Sequence, residues 1–229
     1  MSHRGTMIAV AHCQRVSGSV VLLHGLGRTG ISMRTIAASL RKAGYPTLSP
    51  WYGLRRSMPE IIALLQPRIA AFAAVHPGPL HIVTHSLGGL VARAVITAHR
   101  PSNLGRVVML APPHGGSELA DFVTRIGLDA VILGRVGGFL RTARADSYEA
   151  ELGSVDFDCG IIAGDRAFDP IFAPLLLPAP NDGKVSVAAT KITGMRDHFV
   201  LPVQHTLMVQ DAAVIAQIKA YLATSAFAR

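Results

Sequence analysis

The chain has 229 residues, 22 Lys and Arg against 14 Asp and Glu, a formal charge of +8 and two cysteines. That length suits one compact domain, spanning 1–229, with a sizeable core. Half of the residues are hydrophobic and 16% are charged, which excludes a chain disordered throughout. Two cysteines, Cys13 and Cys159, exclude a disulfide framework, and no Cys/His spacing matches a zinc site. The expectation is a reducing, cytoplasmic setting, with no metal and no other cofactor. The 18 Arg and 4 Lys are scattered singly, with Arg41-Lys42 and Arg55-Arg56 the only adjacent pairs. No basic stripe with interleaved aromatics stands out, so nucleic acid is not an expected partner and the charge reads as solvated surface. Arg4 precedes an apolar patch, but His12 ends it too soon for a signal-peptide core. Ile69 to Ala92 carries no charged residue, yet His76-Pro-Gly-Pro79, His81, His85 and Ser86 interrupt it, so it is not read as a membrane span.

In chain order, Ser19 to His24 is a short apolar run ending at Gly25 and predicts a buried strand. A Gly-rich turn leads to a helix from about Ser32 to Lys42, stopped at Gly44. Tyr45 to Leu48 predicts a second strand. Ser57-Met-Pro-Glu60 matches a capping box with Pro59 in the first turn, opening a helix that runs toward Val75 and kinks at Pro67. Leu80 to Thr84 is a third strand, Leu87 to His99 a helix, and Arg106 to Leu110 a fourth strand. Gly115 to Leu152 carries no strand signal and holds two helical stretches, 118–126 and 129–142. This is the one excursion long enough to serve as a cap or lid; a plain crossover packed on the sheet reads equally well. Cys159 to Ala163 resumes the sheet, Pro170 to Pro180 is a proline-punctuated apolar loop, Phe199 to Val203 is a last strand and Asp211 to Ala223 a last helix. Apolar strands alternating with helices predict an α/β fold: a mostly parallel sheet with helices on both faces.

The strongest chemical signal is His81-Ile-Val-Thr-His-Ser86-Leu-Gly-Gly-Leu-Val. A serine between a buried strand and a helix, followed by Gly88 and Gly89, is the setting of a nucleophile elbow. The helix N-terminus there favours developing negative charge. The usual pattern is G-x-S-x-G, and Thr84 stands where its first glycine would be, which demands extra room at the strand–helix crossing. An oxyanion needs two fixed N–H donors; the candidates are Leu87, next after Ser86, and Leu26 in His24-Gly-Leu-Gly27.

A nucleophilic serine needs a base at the same carboxyl edge of the sheet and an acid to orient that base. Of ten histidines, His205 follows the last strand and meets that condition. His198 is expected before that strand, roughly 20 Å away at about 3.3 Å per residue. His24 and His85 read as structural, and His114 as a candidate pocket residue. For the acid, Asp165, Asp169 and Asp182 all follow the Cys159–Ala163 strand. The chain order Ser…Asp…His suits all three, and Asp182 sits in the tight turn Asn181-Asp-Gly-Lys.

Five segments together, His24-Gly-Leu-Gly-Arg-Thr, Val83-Thr-His-Ser-Leu-Gly-Gly89, Leu110-Ala-Pro-Pro, Asn181-Asp-Gly-Lys-Val-Ser-Val and Leu201-Pro-Val-Gln-His-Thr, resemble small bacterial α/β-hydrolases of the triacylglycerol lipase/esterase type. The resemblance covers nearly the whole chain. It implies an α/β-hydrolase fold with a triad of Ser86, Asp182 and His205, acting on carboxylic esters through an acyl-enzyme. Proteins labelled acyltransferases belong to the same group, and an inactive member acting as a binding module is a further alternative. The expected partner is a small-molecule ester or lipid, with transient contact to a lipid surface. Candidate substrate-binding residues are Phe168, Phe172 and Leu176 in the apolar loop and Trp51 beyond the second strand. No clamp of paired arginines is visible, which favours an uncharged ester over a phosphoester.

Overall fold

The computed structural model describes residues 17–53, 55–167 and 176–229. Within them six strands form one sheet: β1 (Ser19–Leu23), β2 (Thr47–Leu48), β3 (Leu80–His85), β4 (Leu104–Leu110), β5 (Cys159–Gly164) and β6 (Asp197–Leu201). Their order across the sheet is β2-β1-β3-β4-β5-β6, and every pairing is parallel. Residues Val20 to Leu23 and Val107 to Leu110 are fully buried, as are Ile161 and Ile162. Continuous apolar strands of this kind need cover on both faces, and alternate residues supply the two cores. Val20, Leu22, Val83, Val108 and Ile162 face one core with α1 (Arg34–Lys42) and α7 (Ala212–Thr224). Val21, Leu23, Ile82, Val107 and Ile161 face the other with α2 (Met58–Val75) and α3 (Leu87–Ala98). Each such buried Val, Leu or Ile contributes about 1.5–3 kcal/mol against exposure.

The helices start and stop where local chemistry directs. A 3-10 turn, Gly30–Met33, leads into α1. The N–H groups of Gly44 and Tyr45 then close its end on the Arg41 and Leu40 carbonyls. Glu60 accepts hydrogen bonds from the Ser57 N–H (2.7 Å) and hydroxyl (3.0 Å), the capping box read in the sequence. Helix α2 is long and apolar enough to span a membrane by length and composition alone; here Met58, Ile61, Ile62, Leu65 and Ile69 are buried in the core.

Between β4 and β5 lie α4 (Glu118–Arg125), α5 (Asp129–Ile132), a 3-10 segment (Gly134–Leu140) and α6 (Asp146–Leu152). The expected single helix over 129–142 is thus divided, because Gly134, Gly137 and Gly138 weaken an α-helix there. The last strand begins two residues earlier than expected. Asp197 opens β6, its carboxylate accepting from the Phe227 N–H (3.0 Å) and pairing with Arg229 (2.6 Å). An edge strand can hold such polar residues because one flank faces solvent. His198 therefore lies inside β6, with Nε2 2.9 Å from Thr190 Oγ1, and not ahead of the strand.

Candidate active site

Going from β1 to β2 the chain moves toward one edge of the sheet, and from β1 to β3 it builds toward the other. The carboxyl ends of β1 and β3 flank that change of direction, the crevice where parallel sheets place their sites. His24-Gly-Leu-Gly27 leaves β1 there, and Ser86 leaves β3.

Ser86 has φ 55° and ψ −125°, a conformation that costs a non-glycine residue about 1–3 kcal/mol. Neighbouring bonds hold it: the Ser86 N–H donates to the Leu110 carbonyl (2.8 Å), and the Ser86 carbonyl accepts from the Gly89 N–H (2.8 Å). The crossing is tight. A Cβ at Gly88 would lie 2.4 Å from the Leu23 carbonyl oxygen, and one at Gly25 would lie 3.2 Å from Ser86 Cβ. Small residues at both positions let the β1 loop close on the serine. Leu87 is the first residue of α3, so its N–H has no intrahelical acceptor. Leu26 stands in a turn closed by the Arg28 N–H on the Gly25 carbonyl (3.2 Å), with Gly27 at φ 64°. Tyr52 braces that loop: its hydroxyl donates to the His24 carbonyl (2.6 Å) and its ring stacks on His24 at 4.0 Å.

Thr84 finds its room opposite Gly89, where a Cβ would be 3.5 Å from Thr84 Oγ1. That hydroxyl is buried without a hydrogen-bond partner among the described residues, a cost of about 1–3 kcal/mol. Thr84→Val should therefore leave stability unchanged or raise it by about 1 kcal/mol, read as a urea midpoint at constant slope. A loss of similar size would mean that the hydroxyl is partnered.

Asp182 and His205 meet in the core beneath the same crevice. His205 Nδ1 lies 2.7 Å from Asp182 Oδ2, both side chains being at most 5% exposed. Asp182 Oδ1 accepts from the Lys184 N–H (3.0 Å) and the Val185 N–H (2.8 Å), and the Asp182 carbonyl accepts from the His205 N–H (3.0 Å). A carboxylate can only accept here, so His205 donates from Nδ1, the tautomer that in a neutral imidazole leaves the lone pair at Nε2. The loop bearing His205 is held in turn by His85, whose Nε2 donates to the His205 carbonyl (2.9 Å). His85 Nδ1 is buried without a partner among the described residues. Burial, then the neighbouring His205, push the His85 imidazole well below its ordinary value, so it stays neutral.

One cavity of about 170 Å³ is lined by Gly25, Leu26, Ser86, His85 and His205. Its far wall comes from the 115–152 excursion, chiefly Leu119, Val123, Ile132, Leu133 and Leu140, and Arg28 and Lys184 stand in its lining. Sequence reading offered this excursion as a cap or lid and as one of two apolar segments for the pocket, but named none of these side chains. Of the candidate binding residues, Trp51 lines a separate groove with Ile31 and Arg34, and Leu176 lines another with Glu118 and Phe122. Neither lines the Ser86 cavity. Phe168 and Phe172, and the alternative acid Asp169, fall outside the described residues. Asp165 is exposed, its N–H donating to the Leu201 carbonyl (3.1 Å).

His114 is buried but lies outside that cavity, which its neighbour Pro113 reaches. Buried arginines surround it. Arg144 donates to the His114 carbonyl and to Glu149 (2.6 Å), while Arg93, on α3, donates to the Gly153 carbonyl and lies 3.7 Å from Glu149. Burial, then Arg93 and Arg144, push His114 well below its ordinary value of 6.5. His24, His81, His85 and His198 shift the same way, burial being the largest cause in each. A histidine whose folded pKa is depressed binds its proton first in the unfolded chain. Its contribution is complete above 6.5 and is lost as the pH falls from there toward the folded value, at up to about 1.4 kcal/mol per pH unit for each group. The thermal midpoint should be level from pH 7 to 8 and fall steadily below 6.5. A midpoint that rises on acidification would refute the buried neutral state.

The crossing of strand, serine and glycine-bearing helix at the edge of a parallel sheet is that of the α/β-hydrolase class. The model of the alpha/beta hydrolase family matches residues 20–226, and the chain belongs to that family. Among curated proteins, none matches this sequence. Solved structures share the fold at low identity. The mature form of Bacillus licheniformis lipase BlEst2 superposes with a TM-score of 0.75 at 17% identity, over 93% of this chain and 94% of that one. The metagenomic carboxyl esterase MGS0156 gives 0.69 at 18% identity, over 85% and 66%. Phospholipase PlaB from Legionella pneumophila gives 0.60 at 19% identity, over 76% and 44%.

Proposed function

We propose that the protein is a serine hydrolase of carboxylic esters. The observation that carries this reading is a histidine fixed by a buried carboxylate at Nδ1, its Nε2 without a hydrogen-bond partner among the described residues, in the same small cavity as a serine on a strained turn. In the proposed reaction Ser86 Oγ attacks the ester carbonyl as its proton passes to His205 Nε2. The N–H groups of Leu26 and Leu87 receive the developing oxyanion. The C–O bond to the alcohol then breaks, the alcohol takes the proton from His205, and an acyl-Ser86 ester remains. Water repeats the sequence, giving its proton to His205, and the acid leaves with Ser86 restored. Asp182 keeps the imidazole in the Nδ1–H tautomer and stabilises the imidazolium.

Residues 115–152 act in this proposal as the wall of the acyl site. A cavity of about 170 Å³ is small beside the roughly 300–1,000 Å³ of sites for drug-sized ligands, which favours short to medium acyl chains. The test is a panel of p-nitrophenyl esters of increasing chain length, with fluorophosphonate labelling of the same preparation. Activity should peak at short to medium chains and labelling should fall on Ser86. A preference for long chains in emulsion would contradict the pocket assignment, and a chain inert to the probe would instead be a binding module. Faster ester loss with alkyl ester formation on adding alcohols would mark an acyltransferase.

A further inference from the structure

The net charge of this protein is confined to one part of the chain. Residues 1–59 hold eight Lys and Arg and no Asp or Glu, whereas residues 60–229 hold fourteen of each sign. Folding gathers much of the first group on one face. Arg34 and Arg41 line a shallow groove together with Ile31, Ser49 and Trp51. The Arg56 guanidinium lies 5.8 Å from the centre of the Trp51 ring. Arg28, next before Thr29 where the groove begins, stands in the lining of the Ser86 cavity. Among the described residues none of Arg28, Arg34, Arg41, Lys42, Arg55 and Arg56 makes an ion pair. Glu60, the first acid along the chain, is occupied by Ser57 and Arg135.

Two large apolar side chains stand out of this basic face. Ile31 is 70% exposed and Trp51, the only tryptophan of the chain, is 52% exposed. Unpaired cations alone would suit any polyanion. An exposed aliphatic side chain and an indole beside them suit a surface with phosphates outside and hydrocarbon beneath, where tryptophan settles between the two. Nucleic acid offers no such layer, and a single exposed aromatic makes no stacking platform.

We propose that the face formed by Arg28, Ile31, Arg34, Arg41, Trp51 and Arg56 docks on an anionic lipid surface. The arginines meet lipid phosphates while Trp51 and Ile31 enter the interface. The consequence for turnover, that lipid esters arrive beside the mouth of the Ser86 cavity, rests on the ester-hydrolase reading above; the docking itself does not.

The experiment reads binding without turnover. The full chain is mixed with vesicles of phosphatidylcholine, alone or with about one third phosphatidylglycerol, and followed by co-sedimentation and by Trp51 emission. Binding should require phosphatidylglycerol, shift the Trp51 emission to the blue and weaken as salt screens the charges. Arg34→Gln with Arg56→Gln should lower partitioning roughly 25-fold, at about fivefold for each charge, while hydrolysis of soluble p-nitrophenyl acetate stays unchanged. Arg68→Gln, on α2 in the opposite helix layer, should partition as the unmodified protein does. Equal binding to neutral vesicles, no emission shift, or an Arg68→Gln loss as large as that of the double variant would overturn the proposal. Tight binding to duplex DNA with anionic vesicles ignored would assign the face to nucleic acid instead. Should the protein prove inactive on every ester, vesicle binding still decides this proposal separately.

Discussion

Ser86→Ala should lose on the order of a thousandfold or more in turnover of p-nitrophenyl esters and all labelling by a fluorophosphonate. The Ser86 hydroxyl is the attacking atom in the proposed chemistry, and of the other hydroxyls in the cavity lining, those of Ser117 and Thr206, the first already donates to the Lys184 carbonyl (2.8 Å). His85 cannot substitute. Its Nε2 is committed to the His205 carbonyl and its Nδ1 is buried away from the cavity's solvent. The residual rate should come from water activated by His205 near the intact N–H donors, which is why the loss is finite. The variant should fold, since the turn is held by backbone bonds from Leu110 and Gly89 that alanine retains. A melt and a rate measured on one preparation check this. An unfolded variant would say nothing of mechanism, and a folded one with near-normal turnover would remove Ser86 from the reaction.

Asp182→Asn should depress kcat by about 10³–10⁴ and leave KM nearly unchanged. The asparagine oxygen can still accept from the Lys184 and Val185 N–H groups, which fix its orientation. Its NH₂ is then turned toward His205 Nδ1, where the carboxylate oxygen lay at 2.7 Å. Two donors cannot share that contact, so Nδ1 becomes the acceptor and the proton moves to Nε2. An imidazole protonated at Nε2 cannot take the Ser86 proton. No substrate atom is touched, hence the separation of kcat from KM. Asp165→Asn is the comparison, because Asp165 is exposed at the same edge of the sheet. It should keep near-normal turnover. The reverse pattern, Asp182→Asn active and Asp165→Asn dead, would overturn the assignment of the acid.

The three candidate aspartates show why packing had to complete the sequence reading. Chain order admits all of them. What distinguishes Asp182 is that its own turn folds two N–H groups back on the carboxylate and offers its second oxygen to a histidine 23 residues on. Which side chains of the 115–152 excursion wall the cavity was hidden for a related reason. The four-residue α5 and the 3-10 segment after it present too few turns for periodicity to say which side faces a cavity, so Leu133 and Leu140 read as ordinary apolar residues. The start of β6 was misplaced because an edge strand, paired on one side only, carries weak alternation and tolerates Asp197 and His198. Charges that look scattered in order became one face only when β1, α1 and β2 lay side by side.

The sequence by itself determined the alternation of buried strands and helices, the serine turn at Ser86, and the carboxyl edge to which His205 belongs. Those signals are local, written in apolar runs, small residues at a tight crossing and turn chemistry within a few positions. Tertiary structure decided which of the carboxylates that chain order left open, Asp182 being the one the resemblance implied, reaches His205, which side chains wall the cavity and which cations share a surface. These relations join residues tens of positions apart, and their energies arise only once the intervening chain is packed and water is excluded between them.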